Sequence, residues 1–359
     1  MQEENALRLI NRYRKAIMGF AALWIFIFHT WNPVMEGHWR LYAVEEFVKR
    51  IGFCGVEFFL FLSGMGLFYS IKKYDIITFY KRRFMRVFLP MLMMAFVFAF
   101  VQEWGIETFF RNLFGISFYF ETVFSFLWFG TAILTIYLLF PIYHYFFEKA
   151  KNKYIFTGMV LTLWMVLSLL LLDNMRSDFY GVTNRIPVFI LGVLAGWMAQ
   201  EQDVKFTKYA WFFCILETGA GLYLMYLTTY RDYYLLLPAS NCCLPTLLVA
   251  VFGSFILAKL FALAEAYLKA FGKGILIFLG FFGGISFELY CVQEILDDLI
   301  YWVLADEFNN MTINLILLAC SIAAAYALKK VCGVVEFAFS FVSTAFQSTS
   351  RDKVHNLRK

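Results

Sequence analysis

The sequence predicts an all-α fold: a polytopic membrane helix bundle of about ten transmembrane helices, with both termini cytoplasmic. Three observations carry this. The first is composition. Of 359 residues, 62% are hydrophobic and 16% charged, against roughly 45–50% and about 25% in soluble domains. The second is run length. The chain divides into apolar segments near the ~20 residues that a helix needs to cross ~30 Å of hydrocarbon. In lipid every backbone N–H and C=O must be bonded within the protein, which favours helices. The third is charge asymmetry. With an inner N-terminus, 24 of the 31 Lys and Arg fall in inner segments. The outer loops hold only Arg40, Lys49, Arg50, Arg111, Arg176, Arg185 and Arg231. This follows the positive-inside rule and requires an even number of spans. The net charge of +5 therefore reports orientation and contact with anionic membrane lipids; it does not call for nucleic acid.

The spans fall at 16–35, 51–71, 84–102, 123–147, 154–172, 186–200, 208–229, 240–263, 284–305 and 312–346. The first is as long as a full span and lacks a small-residue cleavage site, so it reads as a span rather than a removable leader. The last is too long for one straight span. It either tilts or passes into an interfacial helix beyond Lys329–Lys330. Residues 1–346 form a single domain without linkers or repeats, and 347–359 form a polar, basic cytoplasmic tail. Outer loops are short, which leaves no extracytoplasmic module. The seven Cys lie almost entirely in apolar segments, without zinc-type spacing, and read as small buried hydrophobes. At Cys242–Cys243, near an outer span end, a redox role stays open. No metal site is expected.

A few polar residues in the spans need an explanation. His29 lies near the outer end of span one, where an ionisable group is costly and faces a protein interior or a watery cavity. Glu57 lies at similar depth in span two, within GVEFFLFLSG at 55–64. The two read either as a general base with its orienting carboxylate or as a helix-locking hydrogen bond. Ser63 and Gly64 read as small residues that let helices approach closely. The inner segment FYKRRFMRVFLP at 79–90 is the densest basic cluster. Arg83 and Arg86 are three apart and share a helix face. They serve either lipid contact or a clamp on the phosphates of a nucleotide-like cofactor. Arg185 opens span six and reads as a snorkelling boundary residue. In span nine, Ser286, Tyr290, Gln293 and Glu294 form one polar stripe at helical spacing, as expected of a helix lining a bundle interior or cavity. Glu288 lies off that stripe, nearer the inner headgroups.

In order, these segments resemble the acyltransferase-3 family of integral membrane acyltransferases. The resemblance rests on WIFIFHT ending at His29–Thr30, GVEFFLFLSG at 55–64, and Arg83-x-x-Arg86 within FYKRRFMRVFLP. It continues through Leu127-Trp128-Phe129 with the later Pro141, RIPVFILG at 185–192, ISFELYCVQ at 285–293 and Val335-Glu336. Each motif is weak alone, but their order over nearly the whole chain is specific. The resemblance makes 1–346 a membrane acyltransferase domain. It implies transfer of an acyl group, most often acetyl from cytoplasmic acetyl-CoA, to a hydroxyl of a glycan or other envelope acceptor. His29 becomes the catalytic residue with Glu57 beside it, and Arg83 and Arg86 the donor site. Ser63, Trp128, Arg185, Ser286, Tyr290 and Gln293 become cavity or substrate positions. Two positions depart from the pattern. Many members carry Arg eleven residues before the His, where this chain has Met18, with Arg14 and Lys15 one turn lower. The span-nine motif often ends in His, where this chain has Gln293.

Some relatives carry a fused extracytoplasmic domain that completes transfer. This chain lacks one, so it acts either directly on a lipid-linked or membrane-proximal acceptor, or through a separate extracytoplasmic acyl-accepting protein. The expected location is a cell membrane of the bacterial cytoplasmic type. The competing reading is a transporter of a glycan or lipid-linked intermediate, since polar stripes also line pathways. The donor separates the two, because a transporter needs no acetyl-CoA. A purely structural role leaves His29, Glu57 and the span-nine stripe without a function.

Overall fold

The computed structural model describes residues 5–120, 126–170, 181–233, 243–304 and 307–356, and gives side-chain positions up to residue 338. Cys242, Arg176 and the expected span ends at 123–125, 171–172, 240–242 and 305 lie outside the described residues. Among the described residues every regular element is helical. Eight helices are long and apolar enough to cross a bilayer, or nine when one bent pair counts as a span.

The first helix, α1 (Ala6–Thr30), stands outside that set, because Arg8, Arg12, Arg14 and Lys15 charge its first half. It is nevertheless the centre of the bundle. Leu7, Ile10, Ile17, Ala21, Ile25 and Phe26, spread along its length, are all buried. Asn5 caps the helix through its side-chain oxygen, which accepts from the backbone of Leu7 and Arg8. The helix ends at Thr30, short of the expected residue 35, because Pro33 and the residue before it disfavour helical backbone. His29 therefore occupies the last turn.

An outer helix, α2 (Trp39–Arg50), follows; no span was expected there and it buries none of its residues. A short turn at Gly52–Cys54 leads into α3 (Gly55–Lys73). Asp75 caps α4 (Ile76–Val101), which starts eight residues earlier than expected and carries the basic cluster in its first turns. Two short helices, α5 (Ile106–Leu113) and α6 (Ile116–Phe120), precede α7 (Trp128–Lys149) and α8 (Lys153–Leu170). Then come α9 (Ile186–Glu201), α10 (Lys208–Arg231) and α11 (Leu244–Tyr267). All of these, α2, α5 and α6 aside, match expected spans.

The region read as an inner loop between spans eight and nine is instead a helix, α12 (Lys269–Gly284). Its apolar run, GILIFLGFFGG at 274–284, is too short to cross a bilayer alone, and so it carried no span signal. It is bent by 70° from α13 (Ser286–Leu304). Lys329 supports the bend by donating to the carbonyl of Gly284 at 2.6 Å. The last helix, α14 (Asn310–Asn356), runs without a break past Lys329–Lys330. The polar tail from 347 to 356 continues the same helix.

Two close helix contacts set the architecture. At Gly19 a Cβ would lie 1.8 Å from the carbonyl oxygen of Leu279, and at Gly283 one would lie 2.0 Å from that of Lys15. Only bare backbone permits this crossing of α1 and α12. Likewise, α3 and α9 meet through Gly64 and Gly192, whose Cβ positions are 2.3 Å from the Phe189 oxygen and 2.2 Å from the Phe61 oxygen. The small-residue reading of Gly64 is thus a specific α3–α9 contact.

Polar contacts tie the ends together. Asn5 donates to Gln202 O, Arg8 to Ala199 O, Arg12 pairs with Glu265, and Lys72 with Glu148. All lie on the face that carries the N-terminus. On the opposite face, Asn314 accepts from the Asn32 backbone, Asn310 donates to Pro33 O, and Phe47 meets Tyr226 and Tyr230.

Candidate active site

A cavity with about 790 Å³ of empty space, its mouth included, opens between α1, α3, α4, α7 and α13. From α1 it is lined by Met18, Ala22, Ile25 and His29. These recur at one-turn spacing, so one stripe of α1 faces the void over eleven residues, a rise of about 16 Å. His29 stands at one end, exposed and edge-on to Phe28 at 4.9 Å. Arg86, on α4, lines the same void.

The polar stripe of span nine also reaches it. Ser286, Tyr290 and Gln293 of α13 all line the cavity. Ser286 donates to Gly283 O at 3.3 Å, across the bend. Tyr290 is fixed by the backbone N–H of Phe129, which donates to its hydroxyl at 3.1 Å. That contact depends on Leu127, a buried non-glycine residue with φ of 45°, where the chain turns into α7. The turn presents Trp128 and Phe129 to the void. Ser63 lines it from α3. Seven expected positions therefore share one space: His29, Ser63, Arg86, Trp128, Ser286, Tyr290 and Gln293.

Three expected positions stand behind this lining. Glu57 is completely buried, and its Oε1 accepts from Arg185 Nε at 2.9 Å. Its partner is thus Arg185, the residue that caps the start of the neighbouring α9, and no hydrogen bond or ion pair joins it to His29. The same geometry corrects the reading of Arg185 as a snorkelling residue, for it is 6% exposed. A second guanidinium N–H donates to Gly181 O, and the guanidinium lies 5.2 Å from the Trp128 ring centroid. The buried Glu57 and Arg185 stack behind Trp128, a half-buried residue of the cavity wall. Glycine contacts between α3 and α9 bring the first two together.

Arg83 is the third. It lies beside the void, with its guanidinium over the rings of Phe79 and Tyr137 at 5.9 and 5.7 Å. Arg14 joins it. A Cβ on Gly66 would come within 2.2 Å of an Arg14 guanidinium nitrogen, so the glycine makes the room that Arg14 fills. Arg14 is close enough to Arg83, Arg86 and Tyr137 for their charges and dipole to act on it. Of the two candidates near Met18, Arg14 points inward, whereas Lys15 is exposed. Arg14, Arg83 and Arg86 thus converge, and no ion pair joins them to a carboxylate among the described residues. Three guanidinium groups held together repel one another, and an anion between them relieves that repulsion. Its contribution was legible only as a nearby basic residue, because the Gly66 notch is a tertiary feature. Among the described residues, no group of three or more His, Cys, Asp or Glu could hold a metal ion.

The fold and this cavity define a multi-pass helical membrane protein with a titratable residue and a cationic cluster sharing one internal space. The acyltransferase-3 family model, described as an acyltransferase domain, matches residues 16–330. The chain belongs to that family, and is a membrane acyltransferase. No curated protein and no solved structure matches it.

Proposed function

We propose that this protein is an O-acyltransferase that moves an acyl group, acetyl in the simplest case, from cytoplasmic acyl-CoA to a hydroxyl of a glycan or other envelope acceptor. The observation that carries the reading is the single cavity lined by both His29 and Arg86. With the N-terminal face cytoplasmic, Arg14, Arg83 and Arg86 hold the donor phosphates on the inner side, and the thioester reaches along α1 toward His29. The acceptor hydroxyl enters from the opposite side. His29 takes its proton as the oxygen attacks the thioester carbonyl, a role suited to an imidazole that hydrogen-bonds on either ring nitrogen. The acceptor is lipid-linked or membrane-proximal, or the acyl group passes first to a separate extracytoplasmic protein. A bacterial cytoplasmic membrane is the setting in which both sides are supplied.

The test is CoA release by the purified protein in lipid nanodiscs, given acetyl-CoA and glycans extracted from the host envelope. The wild type releases CoA and acetylates the glycan. His29→Ala lowers the rate by roughly 10²–10⁴-fold, the usual worth of a positioned base. Full turnover in that variant would refute the role of His29. Glycan transport without CoA release would favour an exporter.

A further inference from the structure

Gln293 is 1% exposed, yet lines the cavity, and its side-chain Nε2 has no hydrogen-bond partner. A buried amide donor with nothing to donate to is costly, and such groups are rare in folded proteins unless a ligand or water completes them. Its two neighbours on the α13 stripe each have a bonded hydroxyl. Tyr290, one turn earlier on α13, is held by Phe129 N–H, and Ser286 is turned back to Gly283 O. Tyr290 accepts at its hydroxyl oxygen and Ser286 donates, whereas the Gln293 amide nitrogen has no partner at all. It shares the void with His29 and Arg86, the proton acceptor and the donor-anion site of the reading above.

We propose that Gln293 donates its amide N–H to the carbonyl oxygen of the acyl thioester, and to the oxyanion that this oxygen becomes. The proposal rests on the acyl-CoA reading above and adds the residue that polarises the reacting carbonyl. In the step, the acceptor oxygen bonds to the carbonyl carbon as its proton passes to His29. The C=O π pair moves onto the oxygen, which Gln293 holds. That pair then re-forms C=O as the C–S bond breaks. The CoA thiolate leaves and takes the proton back from His29, giving the acyl ester and free CoA thiol. A preorganised donor in a water-poor pocket is worth most where charge develops, so its removal falls on kcat more than on KM. Unlike an imidazole at the same place, an amide donates at every working pH and never competes with His29 for a proton.

The test uses Gln293→Met, which keeps length and approximate volume but removes the donor. Purified protein is titrated with acetyl-CoA and, separately, with CoA, and binding is read from the shift in thermal unfolding. The wild type should bind acetyl-CoA more tightly than CoA, and the substitution should shrink that ratio by about fivefold, the worth of one neutral hydrogen bond. CoA binding itself should not change. In the CoA-release assay, kcat should fall by about 10²–10³-fold with KM within a few-fold of wild type. An unchanged acetyl-CoA to CoA ratio with wild-type kcat would overturn the proposal while leaving the acyl-CoA reading intact. Absence of any shift with either ligand in the wild type would overturn that reading itself. Should Gln293→Met not fold, Gln293→Asn, which withdraws the amide by one methylene, carries the same comparison.

Discussion

The Glu57–Arg185 pair gives the most exacting test of the architecture. Arg185 Nε lies 2.9 Å from Glu57 Oε1, with 7% and 0% of the two side chains exposed. Neither charge has bulk water to turn to. Replacing one member leaves the other buried and uncompensated, which costs about 3–5 kcal/mol in comparable pairs. Replacing both by apolar residues of similar size removes the two desolvation penalties along with the attraction, and such exchanges are often neutral or stabilising. Glu57→Leu and Arg185→Leu should therefore each destabilise by about 3 kcal/mol or more, and the double variant by far less than the sum. The coupling energy expected is about 3 kcal/mol. Arg185→Lys should fail to substitute, because lysine cannot donate at once to Glu57 and Gly181 O while stacking on Trp128. The assay is equilibrium unfolding in mixed detergent, followed by tryptophan fluorescence. Additive single and double variants, with coupling below about 0.5 kcal/mol, would refute the pairing, since that is what independent sites give.

Two further outcomes follow from the packing. Arg14→Gln should weaken acetyl-CoA protection against heat by about tenfold, the scale of one hydrogen bond to a charged group, without loss of stability in the unliganded protein, because it removes a repelled cation. Unchanged protection would take Arg14 out of the donor site. Gly19→Leu should abolish folded yield, because its Cβ alone would meet the Leu279 oxygen at 1.8 Å, whereas Gly280→Leu, with nothing within 4 Å of its Cβ, should be tolerated. The readout is recovery of monodisperse protein in size-exclusion chromatography. Equal recovery of the two would show that α1 and α12 do not cross at these glycines.

Most of the fold was legible because hydropathy and Lys/Arg placement act over whole segments and need no tertiary information. What escaped was short or amphipathic. The helix α12 has too few apolar residues to register as a span, and α2, with Glu45, Glu46, Lys49 and Arg50, reads as loop. The reach of α4 back to Ile76 was hidden because its basic residues resemble a loop, although Lys and Arg are good helix formers. At the site, the α13 stripe was legible from spacing alone, since Ser286, Tyr290 and Gln293 must share a face of any helix. Partner choice was not. His29 and Glu57 stood at matching depth in sequence, but depth does not fix which way a side chain turns. The rotation of α3 was decided by Gly64 and Gly192, and it sends Glu57 to Arg185.

That rotation also separates two tasks that the sequence had merged. If Glu57 oriented His29, the carboxylate would belong to the chemistry, and its loss would alter the pH dependence of turnover. Paired with Arg185 behind Trp128, it belongs to the wall, and its loss should act through the shape of the cavity. The geometric problem for a protein with donor and acceptor on opposite sides is distance. Met18 to His29 on α1 covers about 16 Å, which is roughly half the hydrocarbon thickness. On the proposed acyl-CoA reading, a cavity reaching that far from His29 toward Arg14, Arg83 and Arg86 would let a donor stay anchored by its phosphates while its acyl end crosses. The wall between those ends must therefore be rigid and dry rather than reactive. Trp128, backed by the buried Glu57–Arg185 pair and by the backbone contacts between α3 and α9, supplies that wall.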